Sequence, residues 1–388
     1  MILSSRFPWP LDKGDKLRMY HQIRYLSKTN KIYLFSLSDC KVDQSSRKEL
    51  LNYCEEVYVF PLTKPMIARG LFWALFRNKP LQIGYFYNPS IAKEIESHII
   101  KIKPDHIYGQ LVRVADYIAF LSIDKSLDLQ DALSTGLLRR ADKERFFKRW
   151  LFNFEAQRML DYEATALSEF DSLSIITEAD KELLPLSIRS KVKVVPNGVD
   201  FNFFNAKVQE KKYELVFTGN MSYAPNVMAA NFLANDIMPM VWKTIPNAKL
   251  LIAGASPHAS VKALQTSRVI VSGWLDDIRE AYSSSRIFVA PMQIGTGLQN
   301  KLLEAMAMRL PCVSSDLANN ALMALDGKEI VIAPKDSAPD YARAIIKLLQ
   351  QEDYAGQIAD NGYKFVKHNY DWESAVNLLE QMWQKTEQ

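Results

Sequence analysis

Residues 295–312 have the sequence Gly-Thr-Gly-Leu-Gln-Asn-Lys-Leu-Leu-Glu-Ala-Met-Ala-Met-Arg-Leu-Pro-Cys. The Gly-x-Gly turn allows a ligand to approach the backbone closely, and the helix predicted after it offers unpaired N–H groups to an anion. Lys301 and Glu304 are three residues apart and therefore lie on one face of that helix. Lys301 can supply positive charge to phosphates, and Glu304 can accept hydrogen bonds from sugar hydroxyls. The stretch predicts a phosphate-and-sugar site.

The same turn follows an apolar run that predicts a buried strand, Ile287–Met292. The turn therefore lies at the carboxyl end of a strand, which is where open α/β sheets bind ligands. Short apolar runs alternate with helical patterns through the C-terminal half, and this alternation favours a doubly wound parallel sheet. The predicted strands of this half are Glu214–Thr218, Ala248–Gly254, Val269–Gly273, Arg286–Met292, Cys312–Ser315 and Glu329–Ala333.

The N-terminal half has the same rhythm in a weaker form, with a short first strand at Ile2–Ser5. Its other predicted strands are Lys31–Leu37, Val57–Leu62, His106–Gly109 and Leu173–Thr177. A chain of 388 residues is long enough for two domains. Pro196-Asn197-Gly198 and the polar stretch Lys207–Lys212 predict a boundary between them.

Composition excludes several classes of protein. The net charge of +4 is too small for a nucleic-acid-binding surface. The basic excess lies in residues 1–200, and it biases that half toward anionic surfaces or acceptors. The chain has neither an apolar run long enough to span a membrane nor a secretory signal, so we expect a cytoplasmic protein. The three cysteines have no metal-ligand spacing and are expected to be buried free thiols.

The motifs together resemble the retaining GT-B glycosyltransferases of family 4, in the variant form of sugar transferases associated with exopolysaccharide clusters. The resemblance covers nearly the whole chain. It is carried by five segments: Phe7–Lys16 as the opening glycine loop, Glu155–Glu182 before the linker, Pro196–Asp200 as the linker, Phe217–Met221 as the first strand-turn of the second domain, and Gly295–Pro311 as the donor-binding signature.

This resemblance implies an α/β GT-B fold with two Rossmann-like doubly wound domains facing a central cleft. Residues 1–196, with a C-terminal helix 371–388 that crosses back, would bind the acceptor, and residues 197–370 would bind a nucleoside diphosphate sugar. The implied reaction transfers the sugar, with retention of configuration, to a hydroxyl group of a growing glycan or lipid-linked saccharide. The resemblance favours front-face substitution without a separate cofactor. Because no Asp-x-Asp pair lies at a strand end, we also expect no metal.

Twelve residues are predicted to bind the donor. They are Gly219, Asn220, Asn226, Gly273, Leu275, Gly295, Thr296, Gly297, Leu298, Asn300, Lys301 and Glu304. The turn after Gly219 lacks the Arg and Lys that relatives carry there, and Thr296 replaces an acid that relatives carry eight residues before the glutamate. Lys301 is therefore the best cation for the diphosphate, which the helix N-terminus after Gly297 and the Gly219 amide would also stabilise.

Several of these residues have structural interpretations that compete with the functional ones. Asn226 follows Pro225 and could serve only as a helix N-terminal residue. Lys301 could be a solvated lysine, and Glu304 could form a structural ion pair. Asp276 is more plausible as the N-cap of a helix over Ile278–Ser284 than as a ligand of the base, and Arg279 is a weak candidate for the base or a phosphate.

In the N-terminal half, Gly14, Asp15 and Lys16 precede an amphipathic helix predicted over Leu17–Ser27. The resemblance places this turn at the cleft, although Asp15 could instead cap the helix. Relatives often have a histidine near the transferred sugar. No histidine here matches it, so Gln110, at the end of a strand, is the candidate for that catalytic position. Asp131 and Ser134 are further acceptor-side candidates, whereas His21 and His106 are interpreted as structural.

Two stretches combine basic and bulky apolar residues and could bind an anionic membrane surface. They are Met66–Arg77 and Arg139–Trp150; the second contains Arg139, Arg140, Lys143, Arg145, Lys148 and Arg149 together with Phe146, Phe147 and Trp150. The alternative is that the aromatic residues pack inward while the basic face is solvated. Two other functions also remain compatible with the sequence: a non-catalytic sugar-nucleotide-binding subunit that activates a partner transferase, and a nucleotide-sugar epimerase.

Overall fold

The computed structural model describes residues 1–142, 146–205, 209–295 and 297–384, apart from the side chains of Phe146 and Phe147. The chain forms two compact units. The first comprises Met1–Pro196 with Trp372–Gln388, and the second comprises Asn197–Asp371. No helix within the described ranges is long and apolar enough to cross a membrane.

The first unit contains a seven-stranded, entirely parallel sheet in the order β3-β2-β1-β4-β5-β6-β7. Its strands are β1 (Ile2–Ser4), β2 (Tyr33–Ser38), β3 (Glu56–Pro61), β4 (Ile107–Gln110), β5 (Lys125–Asp128), β6 (Ser172–Ile175) and β7 (Val192–Val194). Although β1 has only three residues, it is paired on both sides, with β2 and β4.

Ten α-helices accompany this sheet up to Pro196. They are α1 (Gly14–Leu26), α2 (Gln44–Leu51), α3 (Lys64–Phe76), α4 (Leu81–Phe86), α5 (Pro89–Ile102), α6 (Ala115–Ile118), α7 (Leu133–Ala141), α8 (Phe146–Ala166), α9 (Glu178–Lys181) and α10 (Leu186–Arg189). Short 3₁₀ segments lie at Val112–Val114 and Leu167–Glu169.

The second unit repeats the same design with six parallel strands in the order β10-β9-β8-β11-β12-β13. Its strands are β8 (Tyr213–Thr218), β9 (Leu250–Ala253), β10 (Val269–Gly273), β11 (Ser285–Ala290), β12 (Cys312–Ser315) and β13 (Val331–Ala333). The six predicted strands all overlap these. A doubly wound α/β fold is therefore confirmed. Both sheets are parallel, and in each the strands are added first on one side of the initial strand and then on the other.

The helices of the second unit follow the same alternation. They are α11 (Ala224–Phe232), α12 (Met238–Thr244), α13 (Ala259–Lys262), α14 (Arg279–Ser283), α15 (Asn300–Ala307), α16 (Asp316–Leu322), α17 (Ala338–Gln350) and α18 (Glu352–Asn369). A π-helical turn at Leu233–Ile237 separates α11 from α12. Pro239 lies just beyond this turn, and it cannot donate a backbone hydrogen bond to a regular helix.

The last helix, α19 (Trp372–Trp383), belongs to the first unit. Trp372 is fully buried and its ring stacks on His21 with centroids 4.9 Å apart. Val376 and Leu379 enter the same apolar cluster as Ile2 and Met19. The structure thus gives the histidine a packing role, as the sequence suggested.

A buried ion pair lies inside the first unit. Arg18 of α1 binds Asp128 at the end of β5 through two hydrogen bonds of 2.7 and 2.8 Å, and both side chains are fully buried. Asp128 also accepts from the Ser174 hydroxyl of β6, and Arg18 also donates to the main-chain oxygen of Val195. The pair therefore joins α1, β5, β6 and the segment after β7.

Because both charges are buried, removing one partner should be far more costly than removing both. We expect Asp128→Asn and Arg18→Met each to reduce the free energy of unfolding by about 3–5 kcal/mol, and Arg18→Met combined with Asp128→Leu to reduce it less than either single change. Urea unfolding of the three variants measures this. As a control, Asp360→Asn breaks the exposed pair with Arg309 and should cost no more than about 1 kcal/mol. Strictly additive losses in the double variant would contradict the argument.

Candidate functional site

The ends of β8 and β11 bring the predicted donor residues together in the second unit. These two strands are neighbours in the sheet, and the strand order reverses between them. The loops that follow them therefore leave in opposite directions and open a crevice at the carboxyl edge. Gly219 follows β8 directly, and the Gly295–Asn300 turn follows β11.

The turn after β8 depends on close backbone contact. Gly219 has a φ of +153°, and a Cβ atom there would lie 2.7 Å from Nδ2 of Asn226. A Cβ atom on Gly254, after β9, would lie 1.8 Å from the Gly219 oxygen. Side chains at either glycine would push the two strand ends apart, so the edge is specified by glycine at both positions.

One prediction at this turn is wrong. The Gly219 N–H was expected to face the diphosphate, but it donates to the Ala253 oxygen at 3.1 Å as part of the sheet. The N–H of Asn220 has no hydrogen-bond partner among the described residues, and it is therefore a candidate backbone donor for a ligand.

Lys301 is the second residue of α15, and its side chain reaches the turn after β8. Its Nζ donates to Oδ1 of Asn226 at 2.6 Å, lies 3.7 Å from Sδ of Met292 and lies 5.2 Å from the centre of the Phe217 ring. Asn226 is the third residue of α11, and its Nδ2 donates to the Asn220 oxygen at 2.9 Å. Asn226 therefore does more than begin a helix, and Lys301 is not a freely solvated lysine.

Glu304 lies one turn further along the same face. Its Oε2 accepts from the Tyr282 hydroxyl at 2.7 Å, and that hydroxyl lies 2.9 Å from Oγ1 of Thr218. Because the Tyr282 proton is donated to Glu304, Thr218 donates to Tyr282. The partner of Glu304 is thus a neutral hydroxyl rather than the ion pair considered from sequence, and its Oε1 has no hydrogen-bond partner within the described part of the chain.

Both charged groups are held in protein surroundings that disfavour their charge. Burial lowers the pKa of Lys301 to about 8, although Glu304 acts in the opposite direction. Burial raises the pKa of Glu304, against the lowering effects of the Tyr282 hydrogen bond and of Lys301. Shifts of this kind at a strand edge are common in sites that bind charged or polar ligands.

The glycine turn itself is open. Gly295 has a φ of +97°, and a Cβ atom on either Gly295 or Gly297 would meet no other atom within 4 Å. Thr296 lies outside the described residues, so its predicted role remains a prediction. Leu298 packs against the core of the second unit, and Oδ1 of Asn300 accepts from the Asn197 amide at 3.1 Å.

The loop after β10 corrects the predicted capping of α14. Asp277, not Asp276, accepts from the Arg279 N–H at 3.0 Å, whereas Asp276 accepts from the Trp274 indole at 3.2 Å. The Arg279 side chain also binds the Asp277 carboxylate and the Phe203 oxygen. Arg279 is therefore occupied within the protein. Gly273 has a φ of +70°, in the left-handed region that favours glycine. Leu275 packs against the core of the second unit.

In the first unit, the predicted acceptor-side residues are connected at the start of α1. Gly14 is the first residue of that helix, where its missing side chain leaves space. Asp15 does not cap it by the usual bond to a later N–H; its carboxylate binds Arg6 at 2.7 Å and the Lys16 N–H. Lys16 pairs with Asp12 at 2.8 Å.

Gln110 is buried, and its amide donates to the main-chain oxygen of Asp15 at 2.8 Å. This hydrogen bond connects the end of β4 to the start of α1. The catalytic role predicted for Gln110 remains a prediction. Asp131 lies in the loop after β5, at the same edge of the sheet. Ser134 is buried and bound to Glu163 at 2.6 Å, so it is a structural residue. His106 is structural too: its Nε2 lies 2.7 Å from Oγ of Ser126, and its ring stacks on Trp383.

Sequence reasoning missed Tyr282, Thr218 and Asn197, which hold the predicted residues in place. Each comes from an element distant in sequence from its partner. Tyr282 belongs to no motif, and the motif segments that contain Thr218 and Asn197 do not indicate which side chains they contact. The described residues contain no group of three or more His, Cys, Asp or Glu side chains that could hold a metal ion.

The chain is similar to known proteins both in sequence and in fold. Residues 212–351, which make up most of the second unit, match the family model "Glycosyl transferases group 1". The Anabaena protein HepE, solved in complex with UDP, superposes with a TM-score of 0.70 over 98% of both chains at 13% identity. The chain has the GT-B fold, and its second unit is similar to the group 1 glycosyltransferases.

Two curated proteins are similar to this chain in sequence. A 44.6 kDa protein in the cps region of Klebsiella pneumoniae is 25% identical over 397 residues, which cover 96% of each chain. The phosphatidyl-myo-inositol mannosyltransferase of Mycolicibacterium smegmatis is 26% identical over 189 residues, which cover 46% of this chain and 48% of the relative.

The Tyr282 hydroxyl should control the ionisation of Glu304. Tyr282→Phe keeps the ring but removes the donor, so the pKa of Glu304 should rise further above its unfolded value. A raised carboxyl pKa costs stability as pH rises from the unfolded pKa to the folded one. We therefore expect the variant to lose about 1–3 kcal/mol near pH 7.5 and less near pH 5.

Urea unfolding at the two pH values measures this difference. Thr218→Val is the matched control: it removes the other partner of Tyr282 but leaves the donor to Glu304, so its loss should not depend on pH. Equal losses for Tyr282→Phe at both pH values would show that the hydroxyl does not act through Glu304.

Proposed function

We propose that this chain is a glycosyltransferase that moves a sugar from a nucleoside diphosphate sugar to a hydroxyl group of a saccharide or lipid-linked acceptor. The observation that carries the proposal is the pair Lys301 and Glu304, fixed on one face of α15 beside the Gly219 turn at the point where the strand order reverses. A cation beside a helix N-terminus suits a diphosphate, and a carboxylate with one free oxygen suits a ribose diol.

The names of the related proteins support this choice. The HepE structure contains UDP. The mycobacterial relative is a mannosyltransferase that is named for a phosphatidylinositol acceptor. The Klebsiella relative belongs to a cps region. We infer that this chain acts in the assembly of surface polysaccharide or glycolipid, on the cytoplasmic side of a membrane.

The proposed chemistry is stabilisation of the leaving diphosphate. As the bond to the sugar breaks, negative charge grows on the diphosphate, where the Lys301 ammonium, the Asn220 N–H and the N-terminus of α15 can stabilise it. Retention would follow if the acceptor attacks from the face that the diphosphate leaves. Since a lysine and a helix N-terminus supply the positive charge, we propose that no metal ion is needed.

Substitutions at the two residues should separate diphosphate binding from ribose binding. Lys301→Gln should weaken UDP or GDP at least tenfold, because a charged hydrogen bond contributes about 1.5–3 kcal/mol, while the affinity for the nucleoside alone changes little. Glu304→Gln should weaken nucleoside and nucleoside diphosphate alike. Isothermal titration in the presence of EDTA measures these affinities.

Lys243→Gln removes an exposed lysine of the same unit and should leave both affinities unchanged. Wild-type protein that binds neither UDP nor GDP, or that binds them only with Mg²⁺, would contradict the proposal. Product analysis with a bound nucleotide sugar then distinguishes glycoside formation from epimerisation.

We also propose that the first unit binds an anionic membrane surface. Phe72, Leu75 and Phe76 of α3 are 57–74% exposed, and Trp150 of α8 is 60% exposed. Arg158 of α8 joins the two helices by donating to the Ala74 oxygen at 2.8 Å. Trp150 is the aromatic residue of Arg139–Trp150 whose side chain the structure describes, and it does not pack inward. This favours membrane binding over the alternative in which the aromatic residues pack inward and the basic face is solvated. Lys143 and Arg145 lie outside the described residues.

Charge reversal at the basic stretch should release the protein from lipid. We expect Arg139, Arg140, Lys148 and Arg149→Glu to reduce sedimentation with phosphatidylglycerol vesicles at least tenfold, since each basic residue near such a surface contributes about 1 kcal/mol. Binding to phosphatidylcholine vesicles should be weak for both proteins.

The control carries four reversals on the second unit, at Lys243, Lys249, Lys328 and Lys364. These lysines are exposed, so the net charge changes equally while the proposed surface stays intact. Equal loss of binding in the control would attribute the effect to net charge rather than to this surface.

A further inference from the structure

The turn after β8 contains no cation, yet an ammonium group is fixed against it. Its residues from Gly219 to Asn226 are Gly-Asn-Met-Ser-Tyr-Ala-Pro-Asn. Lys301 is 75 residues further along the chain and belongs to another helix, but its Nζ lies 2.6 Å from Oδ1 of Asn226. We propose that Asn226 is a positioning residue that holds the Lys301 ammonium at this turn, where it supplies the cation that the turn itself lacks.

The side-chain contacts of Asn226 connect Lys301 to the turn after β8. Its Nδ2 donates to the Asn220 oxygen, and its amide packs against Gly219 so closely that a Cβ atom there would lie 2.7 Å away. The backbone at the start of α11 is not capped by a side chain, and Asn226 does not cap it either. Both polar ends of the amide are therefore used to connect the turn to Lys301.

An amide is suited to this role because it is neutral. The amide oxygen accepts one of the three ammonium protons and restricts a long, flexible side chain, which would otherwise lose its rotamer freedom when it binds a ligand. A carboxylate at the same place would hold the lysine equally well but would cancel its charge. Asn226 thus positions the ammonium and leaves its charge available to a diphosphate.

Among the described residues, Glu304 is the titratable group that acts on Lys301. Asn226 faces it from α11, Phe217 from β8 and Met292 from the segment after β11, and all three are uncharged. Glu304 acts on it from its own helix and is itself bound to Tyr282. Since burial lowers the pKa of Lys301 to about 8, its charge is lost within an accessible pH range.

This inference rests on the proposed function, and Asn226→Asp tests it. The variant keeps the size of the side chain and the acceptor for Lys301 but adds a negative charge. We expect UDP and GDP to bind at least tenfold more weakly near neutral pH. Wild-type affinity should fall as pH rises through about 8, and in the variant this fall should move to higher pH because the carboxylate stabilises the ammonium.

Two further variants separate positioning from damage to the fold. Asn226→Leu has a similar shape but no acceptor; affinity should fall, and the pH at which it falls should not move upward. Asn231→Asp adds the same charge to a partly buried asparagine of α11 whose amide donates to the Val227 oxygen. It should leave nucleotide affinity unchanged.

The ammonium can also be observed without a ligand. Carbon-13 methylation of the lysines allows each to be titrated by NMR, and Lys301→Arg identifies the signal of Lys301. Its pKa should be higher in Asn226→Asp than in wild type. An unchanged titration of Lys301 in Asn226→Asp would overturn the inference, whether or not nucleotides bind. A wild-type protein that binds neither UDP nor GDP would instead overturn the proposed function.

Discussion

The parallel direction of all the strands is the constraint on which the candidate site depends. Parallel strands of one sheet end at the same edge, so the loops that follow them must meet there. In the second unit this places Gly219, Gly273 and Gly295 at one edge, although the first and the last of them are 76 residues apart in the sequence. Each of these glycines has a positive φ, and two strand ends pack so tightly that a side chain would separate them. The backbone of these strand ends therefore forms most of the candidate site, and the side chains of Lys301 and Glu304 on α15 complete it.

The second unit was largely predictable because its strands are continuous apolar runs. Strands buried on both faces of a parallel sheet are rich in Val, Ile and Leu, and this pattern was present for β8 to β13. In the first unit, β5 and β7 were missed. The sequence of β5 is Lys-Ser-Leu-Asp, which has one apolar residue, yet the strand is buried throughout. Its burial is possible because Asp128 meets Arg18, which is 110 residues away. No local pattern contains that information.

The candidate site was predictable to the same extent. The helical spacing of Lys301 and Glu304 fixed their common face, and the glycine turn fixed their place at a strand end. Their partners could not be inferred, since Asn226 and Tyr282 reach them from other elements. The prediction that Asp276 caps α14 also failed, because a difference of one residue decides which carboxylate accepts from the Arg279 N–H. Element boundaries are the least certain part of any such prediction.

The position of α19 has a consequence for how the chain is made. The second unit is one uninterrupted segment, whereas the first needs both Met1–Pro196 and the final helix. The two ends of the inserted segment lie side by side, because Val199 forms a bridge with Asp371 and donates to the Tyr370 oxygen at 2.8 Å. During synthesis on the ribosome, the inserted unit can complete its core while Ile2, Met19 and His21 still lack the side chains that cover them. The half that is translated first is thus the half that matures last.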